Sequence, residues 1–134
     1  MRVIILGCGR VGSYLARRLQ EEGHKVTVID KDNAAFARLG PGFAGDLVVG
    51  TGIDEDVLRR AGIEETDAFV AVTNGDNTNV MAAQVAKEIF GVRRVICRIY
   101  DHLREEIYRD LGIETICPTL MSADRIREIL AQHG

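Results

Sequence analysis

Several features are scarce in this 134-residue chain, which has no tryptophan, two prolines, three cysteines and no long apolar run. A membrane-spanning helix needs about 20 consecutive apolar residues, so we expect no direct membrane insertion. The apolar start is too short, and too soon followed by arginines and glycines, to be a secretory signal. The cysteines form no CxxC pair, so the sequence contains no evident zinc site or redox couple.

The chain also lacks a large excess of charge of either sign. The formal net charge is −3, and the arginine pairs are scattered along the chain, so there is no basic stripe of the kind that binds nucleic acid. We therefore expect no nucleic-acid partner. Because the chain shows neither a membrane span nor a secretory signal, we expect a cytoplasmic protein. Cys97 and Cys117 lie in apolar runs and are expected to be buried. Cys8 lies in a glycine-rich turn, where it is either a tolerated small residue or a redox-sensitive thiol.

Along the chain, short apolar runs alternate with segments of helical spacing. Val11, Leu15 and Leu19 give the first such segment one apolar stripe, and Gly23 is expected to end it. This alternation is typical of a parallel sheet covered by helices. The predicted strands cover residues 2–6, 25–29, 46–49, 68–72, 94–99 and 113–117, and the predicted helices cover residues 10–22, 32–39, 55–61, 76–90, 103–111 and 122–130.

The predicted fold class is α/β, a doubly wound Rossmann-like sheet of six parallel strands in the order 3-2-1-4-5-6. Nothing in the chain resembles a linker, so we expect a single domain over residues 1–134. In such a sheet, ligands bind beyond the carboxyl ends of the strands, near the switch between strands 1 and 4. The candidate ligand-binding residues are therefore those that directly follow each strand.

The segment Gly7-Cys8-Gly9-Arg10-Val11-Gly12 follows the first strand and opens the first helix. The first glycine permits a tight turn, the second leaves the backbone open to a pyrophosphate, and the third lets the helix pack close to the strand. Free N–H groups and a partial positive charge at the helix start favour phosphate. The turn predicts nucleotide binding; the alternative is that its glycines serve packing alone.

Asp30 ends the second strand, eighteen positions beyond the last glycine of the turn. Its carboxylate is suited to accept both hydroxyls of an adenosine ribose and would repel a 2′-phosphate, which disfavours NADP. Its alternative role is to cap the next helix, while Lys31 faces either a phosphate or solvent. After the third strand, Gly50-Thr51-Gly52-Ile53 either lets the backbone approach a flat base, with Ile53 packed on it, or forms a flexible loop before the cap Asp54.

Polar side chains also follow the fourth and fifth strands. Thr73 and Asn74 are expected to face the cleft, and Asp76 is expected to cap the next helix. Asn79 has a poor helix propensity, so we expect it to bind either the loop backbone or a ligand. Arg98 lies between apolar residues in a buried strand and needs an anionic partner, either a ligand phosphate or a carboxylate such as that of Asp76.

No catalytic constellation emerges from the remaining residues. Only His102, of three histidines, lies at the expected ligand edge, and an exposed helix start is its simpler interpretation. No Ser-His-Asp or Cys-His arrangement, metal cluster or GxxxxGK[ST] motif can be assembled. We therefore predict no catalytic and no metal-binding residues, and a binding protein rather than an enzyme.

Four parts of the sequence together resemble the TrkA N-terminal family, the nucleotide-binding half of the RCK (regulator of potassium conductance) domain. They are "VIILGCGRVGSYLARRL", Asp30, "DVLRRAGIEETDAFVAVTNGDNTNVMAAQVAKEIFGVRRVICRIYD" and "LGIETICP". The resemblance implies a cytoplasmic regulatory domain of a potassium uptake or channel system that binds NAD(H), AMP, ADP or ATP. It also implies a homodimer or a higher ring, and a membrane-embedded potassium channel or transporter as partner.

The resemblance assigns roles to individual residues. Arg10 would reach a terminal phosphate or a neighbouring subunit, Asp30 would hold the ribose, and Arg98 would approach a phosphate. Members commonly have Gly-Asp after the third strand, where this chain has Gly50-Thr51. The C-terminal ligand-sensing half that members usually carry is not in this chain. The complete predicted ligand set is Gly7, Gly9, Arg10, Val11, Gly12, Asp30, Lys31, Thr51, Gly52, Ile53, Thr73, Asn74, Asn79 and Arg98.

The predicted mechanism is a change in dimer or ring arrangement that depends on which nucleotide is bound, because only a difference in affinity between two arrangements can drive a pore. The alternative function is the cofactor-binding fragment of an NAD-dependent oxidoreductase. The last helix, with Ile126, Ile129 and Leu130, is expected to pack either on its own sheet or on a partner subunit.

Overall fold

The computed structural model describes residues 1–133, which contain one six-stranded parallel sheet in the order β3-β2-β1-β4-β5-β6. This confirms the predicted fold class and strand order. The central strands are short runs of valine, isoleucine and leucine, as expected for strands buried on both faces. The strands are β1 (Arg2–Leu6), β2 (Lys25–Asp30), β3 (Asp46–Val49), β4 (Ala68–Ala71), β5 (Arg94–Arg98) and β6 (Glu114–Ile116).

Five helices and one 3₁₀ helix connect or follow these strands. The 3₁₀ helix, Asn33–Leu39, is capped by the Asp32 side chain, which accepts a hydrogen bond from the Ala34 N–H. Gly23 ends the first helix with a positive φ of 91°, as predicted. The helices are α1 (Arg10–Glu21), α2 (Glu55–Arg60), α3 (Asp76–Gln84), α4 (His102–Arg109) and α5 (Pro118–His133).

Two helices differ from the prediction by more than a residue or two at their ends. The predicted helix over residues 76–90 is α3 followed by a π-helical turn, Val85–Ile89, in which the Phe90 N–H bonds to the Val85 carbonyl. The final helix begins at Pro118 and not at Ser122. Proline suits the first helical position because its missing N–H is not needed there.

The core has two layers, one on each face of the sheet. On one face, α1 and the 3₁₀ helix cover β1 and β2, with Ala16, Phe36 and Leu39 buried against Ile5 and other strand residues. On the opposite face, α2 and α3 cover the sheet through a larger apolar cluster that includes Leu58 and Phe69. Because all six strands are parallel, their carboxyl ends lie along one edge of the sheet.

The face that carries α1 is not covered over β4, β5 and β6 by the described residues. Alternate residues of each strand point to this face and line a depression of about 500 Å³, which we call the sheet-face groove. Almost all of its lining is apolar, and its charged members are two arginines. The groove is lined by Met1, Val3, Val11, Leu15, Leu19, Ala68, Val70, Val72, Arg94, Ile96, Arg98, Ile116, Pro118, Met121 and Ser122.

Helix α5 starts at the rim of this groove and leaves it. Its first turn is tied to the sheet, because the Thr119 hydroxyl donates to the Tyr100 carbonyl at 2.9 Å. All residues from Thr119 to Gln132 are exposed. The predicted packing of this helix on its own sheet is therefore absent in the described residues, and its packing on a partner subunit stays a prediction. No helix in residues 1–133 is long and apolar enough to cross a membrane.

Candidate functional site

A cleft of about 500 Å³ lies beyond the carboxyl ends of β1 to β4. Its volume falls within the range of about 300–1,000 Å³ found for small-molecule sites. Nine of the predicted ligand residues line it, from the ends of all four strands. These are Gly7, Gly9, Asp30, Lys31, Thr51, Gly52, Ile53, Thr73 and Asn74.

The glycine turn after β1 packs tightly at its first and third glycines. Gly7 has a φ of 109°, and a Cβ on it would lie 2.8 Å from the Val72 carbonyl oxygen. A Cβ on Gly12 would overlap the Gly7 carbonyl oxygen. These two glycines are therefore required for the turn to form against β4, which supports the packing role predicted for them.

The second glycine is different, because a Cβ on Gly9 would have no atom within 4 Å. Gly9 is the N-cap of α1 and supplies no side-chain hydrogen bond, so the first N–H groups of the helix have no side-chain cap. Open space beside uncapped N–H groups and a positive helix end is what a phosphate requires. The observation fits a nucleotide phosphate at this point of the cleft.

Each carboxylate oxygen of Asp30 accepts one hydrogen bond from a backbone N–H group, and these two bonds hold the turn in shape. Its Oδ2 accepts from the Cys8 N–H at 2.8 Å, and its Oδ1 accepts from the Asp32 N–H at 2.8 Å. A carboxylate can accept about four hydrogen bonds, so each oxygen keeps room for a ribose hydroxyl. Asp32, and not Asp30, caps the following 3₁₀ helix, so the capping alternative for Asp30 does not hold.

The loop after β3 is shaped by packing as well as by its place on the cleft. A Cβ on Gly52 would overlap the buried Leu6 side chain, so this glycine is needed for contact with β1. Ile53 is 44% exposed, which leaves its side chain available to a base. Asp54 caps α2 by accepting from the Asp56 and Val57 N–H groups, as predicted.

Asn79 is fully buried and holds the loop that follows β4. Its Oδ1 accepts from the Thr73 N–H at 2.8 Å and the Thr73 hydroxyl at 2.6 Å, and its Nδ2 donates to the Thr73 and Arg98 carbonyls. All four hydrogen-bonding positions of the amide are thus used within the chain. Of the two roles predicted for Asn79, the structure has the loop-binding one, and no polar atom of this amide is left for a ligand.

Arg98 lies in the sheet-face groove and does not line the cleft. Its guanidinium donates to the Val72 carbonyl at 2.9 Å and the Thr73 carbonyl at 3.0 Å, and it stacks on the Tyr100 ring. The expected carboxylate partner, Asp76, instead accepts from the Tyr100 and Asp101 N–H groups. The cap predicted for Asp76 is also wrong, because the N-cap of α3 is Gly75.

The remaining predicted residues of the turn lie just outside the cleft. Arg10 is exposed at the first position of α1, and no ion pair among the described residues engages it. Val11 is 50% exposed and lines the groove, and Gly12 is buried under Gly7. Their assignment to phosphate binding stays a prediction; for Gly12 the packing role is sufficient.

Besides Asp32, which caps the 3₁₀ helix, one charged residue that lines the cleft is missing from the predicted ligand set, Arg38. Its Nη1 donates to the Cys8 carbonyl at 3.3 Å, so the guanidinium reaches across to the glycine turn. In a 3₁₀ helix, residues three apart are aligned, and Ala35 and Arg38 share the cleft face in this way. A three-residue period would have pointed to Arg38, but the segment was interpreted with the period of an α-helix.

The cysteines are all buried. Burial raises the pKa of the Cys8 thiol, and the nearby Asp30 carboxylate raises it further. Burial likewise raises the pKa of Cys97 to about 12. The structure therefore favours Cys8 as a tolerated small residue in the turn. No group of three or more His, Cys, Asp or Glu within residues 1–133 is arranged to hold a metal ion.

Comparison with known proteins gives matches over the whole sheet. Residues 3–118 match the model of the TrkA-N domain. The chain is 52% identical to the Trk system potassium uptake protein TrkA of Streptomyces coelicolor, covering 100% of this chain and 60% of that protein. It is 40% identical to the TrkA of Halomonas elongata, covering 100% of this chain and 31% of that protein. The chain thus spans less than two thirds of these relatives.

Solved structures share the fold at low sequence identity. The TrkA-N domain of the inner membrane protein ybaL from Escherichia coli has a TM-score of 0.86 and 18% identity, over 96% of each chain. The AMP-bound Kef CTD from Shewanella denitrificans has a TM-score of 0.80 and 21% identity, over 100% of this chain and 82% of that one. GsuK bound to ADP has a TM-score of 0.81 and 20% identity, over 99% of this chain and 34% of that one. Because the TrkA-N model matches residues 3–118 and the Streptomyces coelicolor relative is 52% identical over the whole chain, the chain belongs to the TrkA-N domain family.

Proposed function

We propose that this domain is a cytoplasmic, nucleotide-binding regulatory domain of a potassium uptake or channel system. The observation that carries the proposal is the cleft: an open position at Gly9 beside uncapped helix N–H groups, facing an Asp30 carboxylate with acceptor capacity to spare. The names of the relatives, potassium uptake proteins, supply the system it serves. They favour regulation over the alternative of an oxidoreductase fragment.

The ligand we propose is NAD(H) or an adenine nucleotide. The Gly9 end of the cleft suits phosphate, and the Asp30 carboxylate suits a ribose with free hydroxyls. Structures of the same fold were solved with AMP, NAD and ADP. Arg38 adds a positive charge to the same cleft and is suited to pair with a phosphate or stack on a base.

A thermal-shift panel of AMP, ADP, ATP, NAD⁺, NADH, NADPH and S-adenosylmethionine tests this proposal. We expect stabilisation by one or more of the first five, and none by S-adenosylmethionine. Arg10→Ala should weaken ATP and ADP more than AMP, because Arg10 lies at the phosphate end of the turn. Arg17→Ala, an exposed arginine further along α1, is the matched control. Absence of a shift with every compound would refute nucleotide binding.

We also propose that the domain, taken as residues 1–134, forms a homodimer through α5 and the sheet-face groove. A doubly wound sheet needs both faces covered, and the groove is an apolar face without a cover. Ile126, Ile129 and Leu130 are exposed at helical spacing on α5, which begins at the rim of the groove. The groove is almost entirely apolar and so is this face of α5, so the same face of a second copy is suited to cover the groove.

The homodimer is tested by light scattering after size-exclusion chromatography. Ile126→Glu places a charge on the apolar face of α5 and should shift the protein to monomer. Ala131→Glu adds the same charge to the same helix on the side away from Ile126 and Ile129, and is expected to leave the dimer intact. A wild-type monomer at all concentrations, or equal effects of the two variants, would contradict this interface.

The exposed side chains of α4 suggest how dimers could join into a ring. Leu103, Ile107 and Leu111 are 77%, 62% and 46% exposed and lie four residues apart, so they form one apolar stripe on this helix and its end.

The membrane-embedded partner we propose is a potassium channel or transporter subunit. Rubidium uptake is compared between wild-type cells and cells that carry a variant of the domain that does not bind nucleotide. The difference measures whether the cleft controls transport.

A further inference from the structure

One carbonyl of the glycine turn is buried and is held by a single side chain. Cys8 is 0% exposed, so its carbonyl oxygen is out of reach of water. Within residues 1–133 this oxygen accepts one hydrogen bond, from Arg38 Nη1 at 3.3 Å. A buried carbonyl without a partner is costly, so the observed orientation of the Cys8–Gly9 peptide depends on Arg38.

The N–H groups that follow this carbonyl are free. Neither the Gly9 N–H nor the Arg10 N–H donates a hydrogen bond within the described part of the chain. Because the C=O and N–H of a trans peptide point in opposite directions, the bond that holds the Cys8 carbonyl also turns the Gly9 N–H away from Arg38. Two consecutive free N–H groups beside the open space at Gly9 form a concavity of the kind that binds anions.

The backbone of Arg38 is fixed, although its side chain is exposed. The residue lies in the 3₁₀ helix, in which Phe36 and Leu39 are buried. Asp30, at the end of β2, accepts from the N–H of the same Cys8 at 2.8 Å. The end of β2 and the 3₁₀ helix therefore hold both backbone polar groups of Cys8.

We propose that Arg38 is a positioning residue for the nucleotide phosphate: by holding the Cys8 carbonyl, it keeps the Gly9 N–H available to the phosphate. Without that hydrogen bond the buried carbonyl reaches water by turning toward the cleft, where the space beside Gly9 is open. The turned carbonyl presents a partial negative charge to the phosphate in place of a donor. The inference rests on the proposed nucleotide binding and assigns Arg38 a role that acts through the turn, in addition to direct contact with a ligand.

Isothermal titration calorimetry with AMP tests this role. Arg38→Met keeps most of the length of the side chain and removes its donors. We expect the dissociation constant to rise about tenfold or more, which corresponds to one lost charge-assisted hydrogen bond. Arg38→Lys keeps a charged donor, and a single hydrogen bond does not need the guanidinium fork, so binding should stay within about threefold of the wild type. Equal losses in the two variants would contradict a role through one hydrogen bond.

Two other cations separate this role from the charge of the cleft. Lys31 lines the same cleft and makes no hydrogen bond to the glycine turn among the described residues. Lys31→Met removes one positive charge, as Arg38→Met does, and should weaken AMP less. Arg17→Met removes an exposed charge further along α1 and should leave the AMP affinity unchanged. Equal losses in Arg38→Met and Lys31→Met would show an effect of charge alone and would overturn the inference.

The orientation of the Cys8–Gly9 peptide is a readout that a direct contact with phosphate would not move. In a crystal structure of nucleotide-free Arg38→Met, we expect the Cys8 carbonyl to point into the cleft. An unchanged peptide in a variant that binds AMP weakly would show that Arg38 contacts the phosphate directly, and the positioning role would be wrong.

A measurement on the wild-type chain covers the case in which Arg38→Met does not fold. Saturation with AMP should shift the amide NMR signals of Gly9 and Arg10 more than that of Gly7, whose N–H in the same turn is already bonded to the Ile29 carbonyl at 2.8 Å. AMP binding without these shifts would overturn the inference and leave the proposed function standing. Absence of binding by every nucleotide of the panel would refute the proposed function and this inference with it.

Discussion

A methyl group placed on Gly9 separates nucleotide binding from folding, because no atom lies within 4 Å of the position it would occupy. Gly9 has φ −84° and ψ −158°, which is an extended conformation open to alanine. Gly12, three residues along the same turn, gives the contrasting case. A methyl there would overlap the Gly7 carbonyl oxygen, and neither backbone segment can move without disturbing β4.

The effects on stability are therefore expected to differ. In Gly9→Ala, a less flexible unfolded chain adds about 0.4–1 kcal/mol of stability, and the poorer N-cap removes a similar amount, so the net change should stay within about 1 kcal/mol. That corresponds to about 4 °C in Tm for a domain of this size. Gly12→Ala should lose about 3 kcal/mol or more of unfolding free energy, because overpacking of rigid backbone cannot be relieved by a rotamer change.

The effect of Gly9→Ala on nucleotide binding is expected to be large, although its effect on stability is small. The methyl of Gly9→Ala fills the space in which we place the phosphate, and it should cost at least one charge-assisted hydrogen bond from the helix start. Such a bond contributes about 1.5–3 kcal/mol, which is about 10- to 150-fold in dissociation constant. AMP, ADP and NAD⁺ should all be weakened, since each places a phosphate beside the ribose.

Isothermal titration calorimetry and urea unfolding of the two variants and the wild type measure both quantities. The reasoning requires a stable Gly9→Ala protein with impaired binding and a destabilised Gly12→Ala protein. A Gly9→Ala protein that is stable and binds nucleotides as tightly as the wild type would show that no phosphate lies over this turn. A strongly destabilised Gly9→Ala protein would show that the turn is closed more tightly than the open position suggests.

Buried groups elsewhere give three more tests. Asn79→Ala removes the partner of the Thr73 N–H and of the Arg98 carbonyl, at about 1–3 kcal/mol each, so urea unfolding should reveal a loss of about 2 kcal/mol or more, whereas the exposed Asn77→Ala should lose less than about 1 kcal/mol. Because all three cysteines are buried and burial raises the pKa of Cys97 to about 12, a disulfide reagent at pH 8 should label the native protein far more slowly than the urea-unfolded chain; equal rates would contradict the buried positions. Hydrogen bonds from Arg109 and then Thr115 lower the pKa of Glu105 below its ordinary value of 4.5, so its contribution to stability is complete above that pH and is lost as the pH falls through the lower folded value. Glu105→Gln should flatten the stability profile below pH 4.5, and an unchanged slope would refute this.

Most of the fold was predictable because the central strands depend on composition alone. β1, β2 and β4 are short apolar runs bounded by glycine or aspartate, and each predicted strand lies within one or two residues of the observed one. The π-helical turn after α3 was not predictable, because it depends on which carbonyl the Phe90 N–H reaches in the packed structure. The start of α5 was predicted four residues too late, although Pro118 suits a first helical position.

The candidate site was predictable where it depends on topology, and less so where it depends on side-chain partners. Residues directly after β1 to β4 line the cleft because parallel strands end at one edge. Asn79 and Arg98 lie near the same edge, but the carbonyls that they bind are determined by packing that the sequence does not display. Arg98 in particular faces away from the cleft by strand alternation, since Arg94, Ile96 and Arg98 share the groove face of β5.

The uncovered half of the sheet follows from the strand order itself. The connections from β1 to β2 and from β2 to β3 run toward one edge, and those from β4 to β5 and from β5 to β6 run toward the other. Because each crossover is right-handed, the two sets of helices lie on opposite faces, and the α1 face over β4–β6 receives none of them. A segment outside the six connected strands, or another molecule, can cover it, and α5 leaves it with residues 119–132 exposed. A second copy that fills the groove would reach Val72, the residue that the groove shares with the cleft.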